Sequence, residues 1–420
     1  MSRDGGIRAL GRVRGLLEKD RGAAETVVSN FAIALLVFLG GVVLARGLGP
    51  AGRGRVAAHL VGIAASFALG SLGINYGAAF AAARSAGGRL TFRRIQNLGL
   101  LSVLITLALE LAIEKLVVGS SDARELSWAL GGAAGTQATS VLLGWIQGCL
   151  SLRLWNALRL VQLGLYFPLL LLLRVSGQLS VWTAVAAYAL PQVLVFAASL
   201  ARILPNLETA SERDVSSKEI WSFSSRVALS AGLYQINQRW DQLFLSLLHR
   251  DASLGIYASA VTLAGIGVPV GAGVAQATYA EGLHLDPAGR RRLTARRIAI
   301  AVGCAGVCAV FLLAFGRRLM ELIYGPAFAA GALPLGILAL GTLFLAGNFV
   351  AAESLRSAGD ARRPMWAEAL GAVVTVALLP PAVSRFGIGG AAAVSSLSYL
   401  ISFAWNFRAS IMRSAPVAAA

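Results

Sequence analysis

Charged residues are scarce in this 420-residue chain, and acidic residues are scarcer than basic ones. Asp, Glu, Lys and Arg make up 14% of the sequence, with 20 acidic side chains against 37 basic ones. Soluble globular domains carry about 25% charged residues, so this scarcity excludes a water-soluble fold. Mean hydropathy is +0.70. Apolar runs long enough to cross a hydrocarbon core of about 30 Å as helices recur along the whole chain.

Cysteine and histidine, the usual ligands of structural zinc, are nearly absent, with three of each. Cys304 and Cys308 are one helical turn apart, but two thiols without a neighbouring His or carboxylate make a poor metal site. The histidines are far apart and receive no role: His59, His249 and His284. No nucleophile–base set, phosphate-binding loop or Mg²⁺-type acidic motif occurs, and no hydrophilic region is long enough for a catalytic domain. We therefore expect no enzyme activity, catalytic residue, metal or cofactor.

The net charge of +17 does not indicate nucleic-acid binding, because the Arg residues lie between apolar spans. Loop cations have a topological explanation in the positive-inside rule. With a cytoplasmic N-terminus, most Lys and Arg fall in cytoplasmic segments, which predicts that both termini are cytoplasmic. The segment Gly47-Leu-Gly-Pro-Ala-Gly52 spells a dinucleotide-binding pattern, but it lies between two spans rather than in a βαβ unit. It is interpreted as a tight turn.

The apolar pattern predicts an all-α, polytopic membrane protein of about twelve transmembrane helices. The predicted spans are residues 24–45, 57–82, 95–117, 126–149, 156–174, 181–202, 222–248, 254–279, 297–316, 330–355, 365–383 and 388–407. They divide the chain into a cytoplasmic tail (1–23), an N-terminal six-helix bundle (24–202), a cytoplasmic linker (203–221), a C-terminal six-helix bundle (222–407) and a cytoplasmic tail (408–420).

A weak internal repeat accompanies this division. Pro50-Ala-Gly-Arg-Gly54 aligns with Asp251-Ala-Ser-Leu-Gly255 at an offset of 201 residues, in the turn after the first span of each half. Because each half has six spans, the repeat predicts two bundles related by a parallel pseudo-two-fold axis. Transporters of this kind bind their substrates between the halves.

The seventh predicted span carries an unusual number of polar residues. On a helical wheel they occupy one continuous arc: Asn237, Asp241, Tyr234, Gln238, Gln242, Gln235 and Arg239. A mid-bilayer charge costs about 2.5–3.5 kcal/mol on insertion scales, so this face cannot contact lipid. It either lines a wet cavity, which we favour, or joins helix to helix.

Four charged residues in the spans are candidates for function. Arg239 is suited to bidentate phosphate binding. Asp241 is a candidate proton or cation carrier, or a counter-charge to an Arg of another helix. Arg226 is a further cavity candidate, although snorkelling to the headgroups also explains it. Glu110, deep in the third span, is a second candidate for ion coupling.

Several short segments resemble the polysaccharide flippases of the multidrug/oligosaccharidyl-lipid/polysaccharide (MOP) exporter superfamily. Leu44-Ala-Arg-Gly-Leu-Gly-Pro-Ala-Gly-Arg-Gly54 is similar to the family's turn after the first span. Arg239-Trp-Asp-Gln-Leu-Phe-Leu245, followed by Leu254-Gly-Ile-Tyr257, resembles the segment that opens its second half. Leu322-Ile-Tyr-Gly-Pro-Ala-Phe328 and Phe386-Gly-Ile-Gly-Gly-Ala-Ala392 resemble two later motifs, in family order.

The resemblance implies a MATE-like fold with a central cavity in the bacterial cytoplasmic membrane. It implies a flippase that moves an undecaprenyl-pyrophosphate-linked oligosaccharide from the cytoplasmic to the outer leaflet by alternating access, for cell-surface polysaccharide export. The expected partners are this lipid-linked glycan, membrane lipids, and a polysaccharide polymerase or other glycan-assembly proteins. A drug/cation antiporter and a lipid II flippase of the same superfamily remain alternatives. A membrane scaffold for glycan assembly is a third.

Overall fold

The structure is a computed structural model that describes residues 3–208, 214–248 and 251–412. Within these residues the fold is all-α, and the only β-type pairing is an isolated bridge between Gly88 and Glu208. The predicted linker therefore includes five residues outside the described part, and most of the predicted C-terminal tail also lies outside it.

The helices are α1 (Arg3–Gly70), α2 (Ile74–Ser85), α3 (Arg89–Ile113), α4 (Ala123–Cys149), α5 (Leu152–Gly164), α6 (Tyr166–Val175), α7 (Val181–Ile203), α8 (Ser217–Leu247), α9 (Asp251–Ala264), α10 (Val268–Gly282), α11 (Pro287–Tyr324), α12 (Ala332–Ser357) and α13 (Arg362–Phe407).

The prediction of a multi-pass membrane protein is confirmed. Seven helical segments of the described residues are long and apolar enough to cross a membrane. Two of them, Val28–Gly70 and Arg362–Ile411, have 43 and 50 residues. The first overlaps the predicted spans 24–45 and 57–82, and the second contains the predicted spans 365–383 and 388–407. All twelve predicted spans fall on helices of the structure. The predicted N-terminal tail forms the beginning of α1 from Arg3 onwards.

Glycines in the left-handed region break the two longest helices between their predicted spans. Gly49 has φ 67° and ψ −175° within α1, and Gly387 has φ 57° and ψ −138° within α13. Glycine adopts positive φ without steric cost. Pro50 directly follows Gly49, where a missing N–H is tolerated because a first-turn N–H has no intrahelical partner. The predicted tight turn therefore lies at Gly49.

The structure also divides the predicted span 57–82 into two helices. Leu72 and Gly73 have φ values of 49° and 70°, and α2 starts at Ile74. A Cβ atom on Gly73 would lie 2.3 Å from the carbonyl oxygen of Ser224. The break thus lets α2 approach the first turns of α8, where the Phe80 and Phe223 rings stack at 4.4 Å. Apolar periodicity does not report such a tertiary contact, so the prediction of one continuous helix was too simple here.

The two halves meet symmetrically at the end of the molecule that contains Gly49, here called the Gly49 side. A Cβ atom on Gly54 would lie 1.7 Å from the Asp251 carbonyl oxygen, and one on Gly255 would lie 2.0 Å from the Pro50 carbonyl oxygen. These four residues are the ones paired by the 201-residue offset of the repeat. Each repeat therefore packs against its own counterpart, as expected beside a pseudo-two-fold axis.

Further contacts join the halves on the Gly49 side. The Arg46 guanidinium donates to the carbonyl oxygens of Leu322 and Ile323 at the end of α11, the latter at 2.9 Å. The largest apolar core combines buried side chains of α1 with those of α9 and α11–α13, including Tyr257 and Tyr324, and with Phe328 of the turn between α11 and α12. This core fixes the position of α1 relative to the C-terminal helices.

Candidate functional site

Helix α8 carries the predicted polar arc. It begins with a capping box, in which the Ser216 hydroxyl accepts from the Glu219 amide and the Glu219 carboxylate accepts from the Ser216 amide at 2.9 Å. Such a box satisfies two amides that have no intrahelical acceptor. Unlike α7 and α9–α13, α8 is not among the segments that are apolar enough to cross a membrane. Its polar side chains therefore need partners inside the protein.

Asp241 finds all its partners within the C-terminal half. Its Oδ2 accepts from the Tyr257 hydroxyl at 2.5 Å and the Ser395 hydroxyl at 2.8 Å, and its Oδ1 accepts from the Gln242 amide at 2.7 Å. The residue is buried. Three donors occupy this carboxylate, so Asp241 joins α8 to α9 and α13.

Asn237 and Gln238 make similar contacts one turn earlier. Asn237 donates to Glu368 Oε2 at 2.9 Å and accepts from the Ser398 hydroxyl. Tyr399 donates to Gln238 Oε1 at 2.9 Å. Glu368 also accepts from Asn348 at 3.2 Å. Sequence reasoning missed Glu368, although an acidic residue near the start of the predicted span 365–383 was a signal that could have found it.

The other part of the arc faces the N-terminal half. Arg239 and Gln242 line a cavity of about 330 Å³ between the halves. The remaining lining residues come from α1, α5–α7 and α9: Val37, Arg53, Ala57, Leu60, Val61, Ala64, Leu163, Tyr166, Tyr188, Ala258, Val261 and Thr262. The predicted cavity face is thus divided, with one part bonded inside the C-terminal half and the other exposed to a space between the halves.

The polar groups that lack partners around this cavity are mainly donors. Arg53 Nε, the Tyr166 hydroxyl and Gln242 Nε2 are buried and have no hydrogen-bond partner among the described residues. The lining includes two arginines, Arg53 and Arg239, and no Asp or Glu. A donor-rich cavity with two cations and no lining carboxylate is suited to an anion with several oxygens.

Sequence reasoning missed Arg53, which it placed in the turn after the first span. The second helical stretch of α1 begins directly after Gly49, so Arg53 lies in its first turn and the side chain is 8% exposed. The position of Pro50, a residue favoured at the first helical position, was the available signal.

A second cavity, of about 270 Å³, adjoins the first through Arg239. Gln235 and Trp240 contribute to it from α8, and apolar residues of α1 and α3 line most of the rest. Tyr234 and Arg226, like Asn237, Gln238, Asp241 and Glu110, line neither cavity. Tyr234 is partly exposed, and the Arg226 guanidinium bonds to Ser222 of its own helix at 2.8 Å.

Glu110 is separate from the α8 arc. It is fully buried on α3, and neither carboxylate oxygen has a hydrogen-bond partner among the described residues. Its neighbours include Ser66, Glu114 and His59. The structure therefore does not bring the two candidates for ion coupling, Glu110 and Asp241, into one hydrogen-bonded site.

Comparison with solved structures defines the class of fold. The chain is similar to a multidrug resistance MATE family transporter of the MOP superfamily in an inward-facing conformation, with a TM-score of 0.70, 19% identity, and coverage of 91% of this chain and 94% of that one. It is also similar to the lipid II flippase MurJ in an inward closed conformation, with a TM-score of 0.75, 12% identity, and coverage of 91% and 87%. An outward-facing MATE structure gives a TM-score of 0.60 at 16% identity, with coverage of 93% and 94%. The fold is that of the MOP superfamily, as the sequence motifs implied.

Within this class the family is defined by sequence. The model of the polysaccharide biosynthesis protein family matches residues 21–279, more than half of the chain, so the chain belongs to that family. No curated protein matches the sequence significantly.

Proposed function

We propose that this protein is a flippase for lipid-linked oligosaccharides. Its substrate would be an undecaprenyl-pyrophosphate-linked glycan, moved from the cytoplasmic to the outer leaflet for polysaccharide export. The observation that carries the proposal is the cavity between the halves, which has two arginines, several unpaired donors and no lining carboxylate. Membership of a polysaccharide biosynthesis family supports a glycan as the cargo.

Each part of the substrate has a suitable environment. Arg53 and Arg239 can neutralise the pyrophosphate, and Gln242, Tyr166 and Tyr188 can hydrogen-bond sugar hydroxyl groups. The isoprenoid chain can remain in the bilayer beside the apolar second cavity. Arg239 lines both cavities, so it lies where the charged and apolar parts of such a lipid meet.

The position of the cavity between the halves supports alternating access. The contacts of Gly54 with Asp251 and of Arg46 with α11 close the Gly49 side in this structure. Rocking of the predicted bundles, residues 24–202 and 222–407, would separate these contacts. We place the protein in the bacterial cytoplasmic membrane, with the Gly49 side outward and both termini in the cytoplasm. A polysaccharide polymerase and other glycan-assembly proteins are its proposed partners.

Two alternatives differ in their cargo. A drug/cation antiporter needs a carboxylate that can reach a cationic ligand, and the absence of Asp and Glu from the lining argues against it. A lipid II flippase has a cargo of the same chemistry, and the structural similarity to MurJ keeps that alternative open.

The test is the leaflet distribution of undecaprenyl-linked glycan in cells that lack the protein. We expect glycan to accumulate on the cytoplasmic face, and wild-type protein to relieve the accumulation. Arg53→Gln and Arg239→Gln should insert normally and fail to relieve it. Arg317→Gln is the matched control, because Arg317 is exposed and pairs with Glu321, one turn away on α11. Normal glycan export without the protein would refute the proposal.

Purified protein separates cargo binding from stability. Farnesyl pyrophosphate serves as a soluble probe of the charged and apolar parts together. Because each arginine can make charge-assisted hydrogen bonds of about 1.5–3 kcal/mol, each variant should weaken binding of the probe by roughly 10- to 150-fold. Asp241→Asn keeps both arginines and should retain probe binding if the variant is folded.

A further inference from the structure

A buried ionisable cluster lies outside the anion cavity, in the N-terminal half. Its centre is His59 on α1, which is fully buried. His59 Nδ1 lies 2.8 Å from Glu114 Oε1, and His59 Nε2 lies 3.0 Å from Glu125 Oε2. Glu114 is also fully buried, whereas the Glu125 side chain is 12% exposed. A carboxyl group therefore lies at each nitrogen of the imidazole ring.

This geometry requires bound protons. An ionised carboxylate only accepts hydrogen bonds, and a neutral imidazole has one N–H and one bare nitrogen. Both contacts can be hydrogen bonds only if the ring is imidazolium or if one of the two carboxyl groups is protonated. The three groups His59, Glu114 and Glu125 thus hold two protons between them.

Glu110 adds a third carboxyl group, which has Ser66 and Glu114 as polar neighbours. It lies one turn before Glu114 on α3, and both of its oxygens are buried and unbonded among the described residues. A Cβ atom on Gly62 would approach Glu110 Oε1 to 3.4 Å, so α1 covers this carboxyl closely. Burying an unpaired charge is costly, and adding one proton to Glu110 removes that cost while the site is closed.

Local backbone structure and access to water also suit exchange of a proton. Helix α3 ends in a π-helical turn, Glu114–Val118, a feature that is frequent at functional sites. The Asp122 side chain caps α4 by accepting from the Arg124 amide at 2.8 Å, which fixes Glu125 in the first turn of that helix. Arg55, 21% exposed, contacts Glu125 at 3.2 Å, so the partly exposed Glu125–Arg55 pair connects the cluster with the Gly49 side.

Charged groups from several elements lie around the cluster. Arg55 pairs with Glu125, and Lys115 donates to the Ser120 carbonyl oxygen at 3.3 Å. From α8, Arg239 acts electrostatically on Tyr188 of α7, and Glu110 acts on the same tyrosine. Glu110, Glu114 and Glu125 as carboxylates, with His59 as imidazolium and Arg55, sum to one negative charge, which one proton on Glu110 removes. Lys115 and Arg239 lie outside this set of five groups.

We propose that Glu110, together with His59, Glu114 and Glu125, forms a proton-binding site, with Glu110 as the group that gains and loses the proton. On release, the O–H bond of the Glu110 carboxyl breaks, the carboxylate keeps the electron pair, and water takes the proton through the Glu125–Arg55 opening. The cluster has no arrangement suited to a metal ion among the described residues.

The site can drive transport because it shares a neighbour with the anion cavity, an extension that rests on the proposed flippase function. Tyr188 and Arg239 both line the cavity, and Glu110 interacts electrostatically with Tyr188. Protonation of Glu110 removes a negative charge beside an anion site, so it favours binding of the pyrophosphate. By reciprocity, bound pyrophosphate favours the protonated form of Glu110.

The experiment is a pH titration of the purified protein in lipid, followed by the infrared C=O stretch of protonated carboxylic acids. We expect a titrating band equivalent to one carboxyl group that is lost in Glu110→Gln. The band should be retained in the control variant Glu353→Gln, which removes a carboxylate that forms an ion pair with Arg356, one turn away on α12. Glu110→Asp should keep a titrating band at a shifted position, and His59→Gln should move the midpoint because it removes the neighbouring positive charge. Thermal melting of each variant confirms that it is folded.

The outcomes are separable from those of the flippase test. An unchanged band in Glu110→Gln overturns the proton site, as does loss of the band on adding Na⁺ at constant pH, which indicates a sodium site instead. The infrared titration contains no glycan, so a negative result would not contradict the proposed glycan cargo. Conversely, normal glycan export in cells lacking the protein would refute the flippase proposal, but it would not contradict the titration of Glu110.

Discussion

Alanine at position 54 should open the Gly49 side of the protein. Gly54 contacts the backbone of the other half, and its Cβ would lie 1.7 Å from the Asp251 carbonyl oxygen and 2.8 Å from the Gly255 amide nitrogen. Real Cβ atoms do not approach closer than about 3.0 Å, so the halves must move apart by more than 1 Å there. No rotamer change relieves a clash with backbone atoms.

The magnitude follows from the cost of overpacking. One added methyl group in a well-packed contact costs about 1–3 kcal/mol. A cost of about 2 kcal/mol, present only while the Gly49 side is closed, shifts the ratio of open to closed molecules by about 30-fold. Gly255→Ala should have a similar effect, because Gly255 makes the counterpart contact with Pro50.

The assay uses Ala57→Cys as a reporter in a protein whose three native cysteines, at 149, 304 and 308, are replaced by serine. Ala57 lines the cavity one turn further inside than Gly54 and is 4% exposed. We expect a membrane-impermeant thiol reagent added from the Gly49 side to label the reporter roughly 30-fold faster with Gly54→Ala, in proportion to the open population.

Gly131→Ala is the matched control for that experiment. Gly131 lies within α4, and a Cβ atom there would have nothing within 4 Å among the described residues. Its labelling rate should equal that of the parent. Equal rates for Gly54→Ala, Gly131→Ala and the parent would refute the reasoning that this glycine contact closes the Gly49 side.

Three further predictions concern stability and conformation. Asp241→Ala removes the acceptor of the buried Tyr257 hydroxyl and should lower the stability of the folded protein by about 1–3 kcal/mol, measured by thermal melting in detergent; an unchanged melting temperature would contradict the role of Asp241 in joining helices. Phe80→Leu removes the stacked contact with Phe223 between α2 and α8, which contributes about 0.5–1.5 kcal/mol beyond its buried area. It should increase the labelling rate of the Ala57→Cys reporter from the side of the membrane opposite the Gly49 side. A labelling rate equal to that of the parent would contradict this prediction. Arg153→Ala breaks an exposed ion pair with Glu25 and should change stability by less than about 1 kcal/mol; a larger loss of melting temperature would show that this pair fixes α5 to α1.

The membrane fold could be predicted from the sequence because transfer into lipid depends on composition. Each helix must present an apolar surface over the bilayer thickness, and that requirement is visible in the order of residues. The break at Gly49 and the polar arc of α8 followed from local patterns. The division of residues 57–82 did not, because its cause is the close approach of Gly73 to α8.

The candidate site was only partly predictable. The wheel found Arg239 and Gln242, which line the cavity, but it could not separate them from Asp241, whose hydrogen bonds lie inside the C-terminal half. Arg53 was taken as a turn residue, and His59 received no role. Arg53 lines a cavity with residues of other helices, and His59 contacts Glu114 and Glu125, all of them distant in sequence.

The sequence alone thus determined the solvent in which the chain folds, the number of predicted crossings and the family. These depend on hydropathy, local turn residues and short motifs. The tertiary structure decided which polar side chains face the cavity, which ones hold helices together, and that His59 lies between Glu114 and Glu125. A helical wheel gives the direction of a side chain about the axis of its own helix. The role of that side chain depends on the neighbouring helix that packs against it.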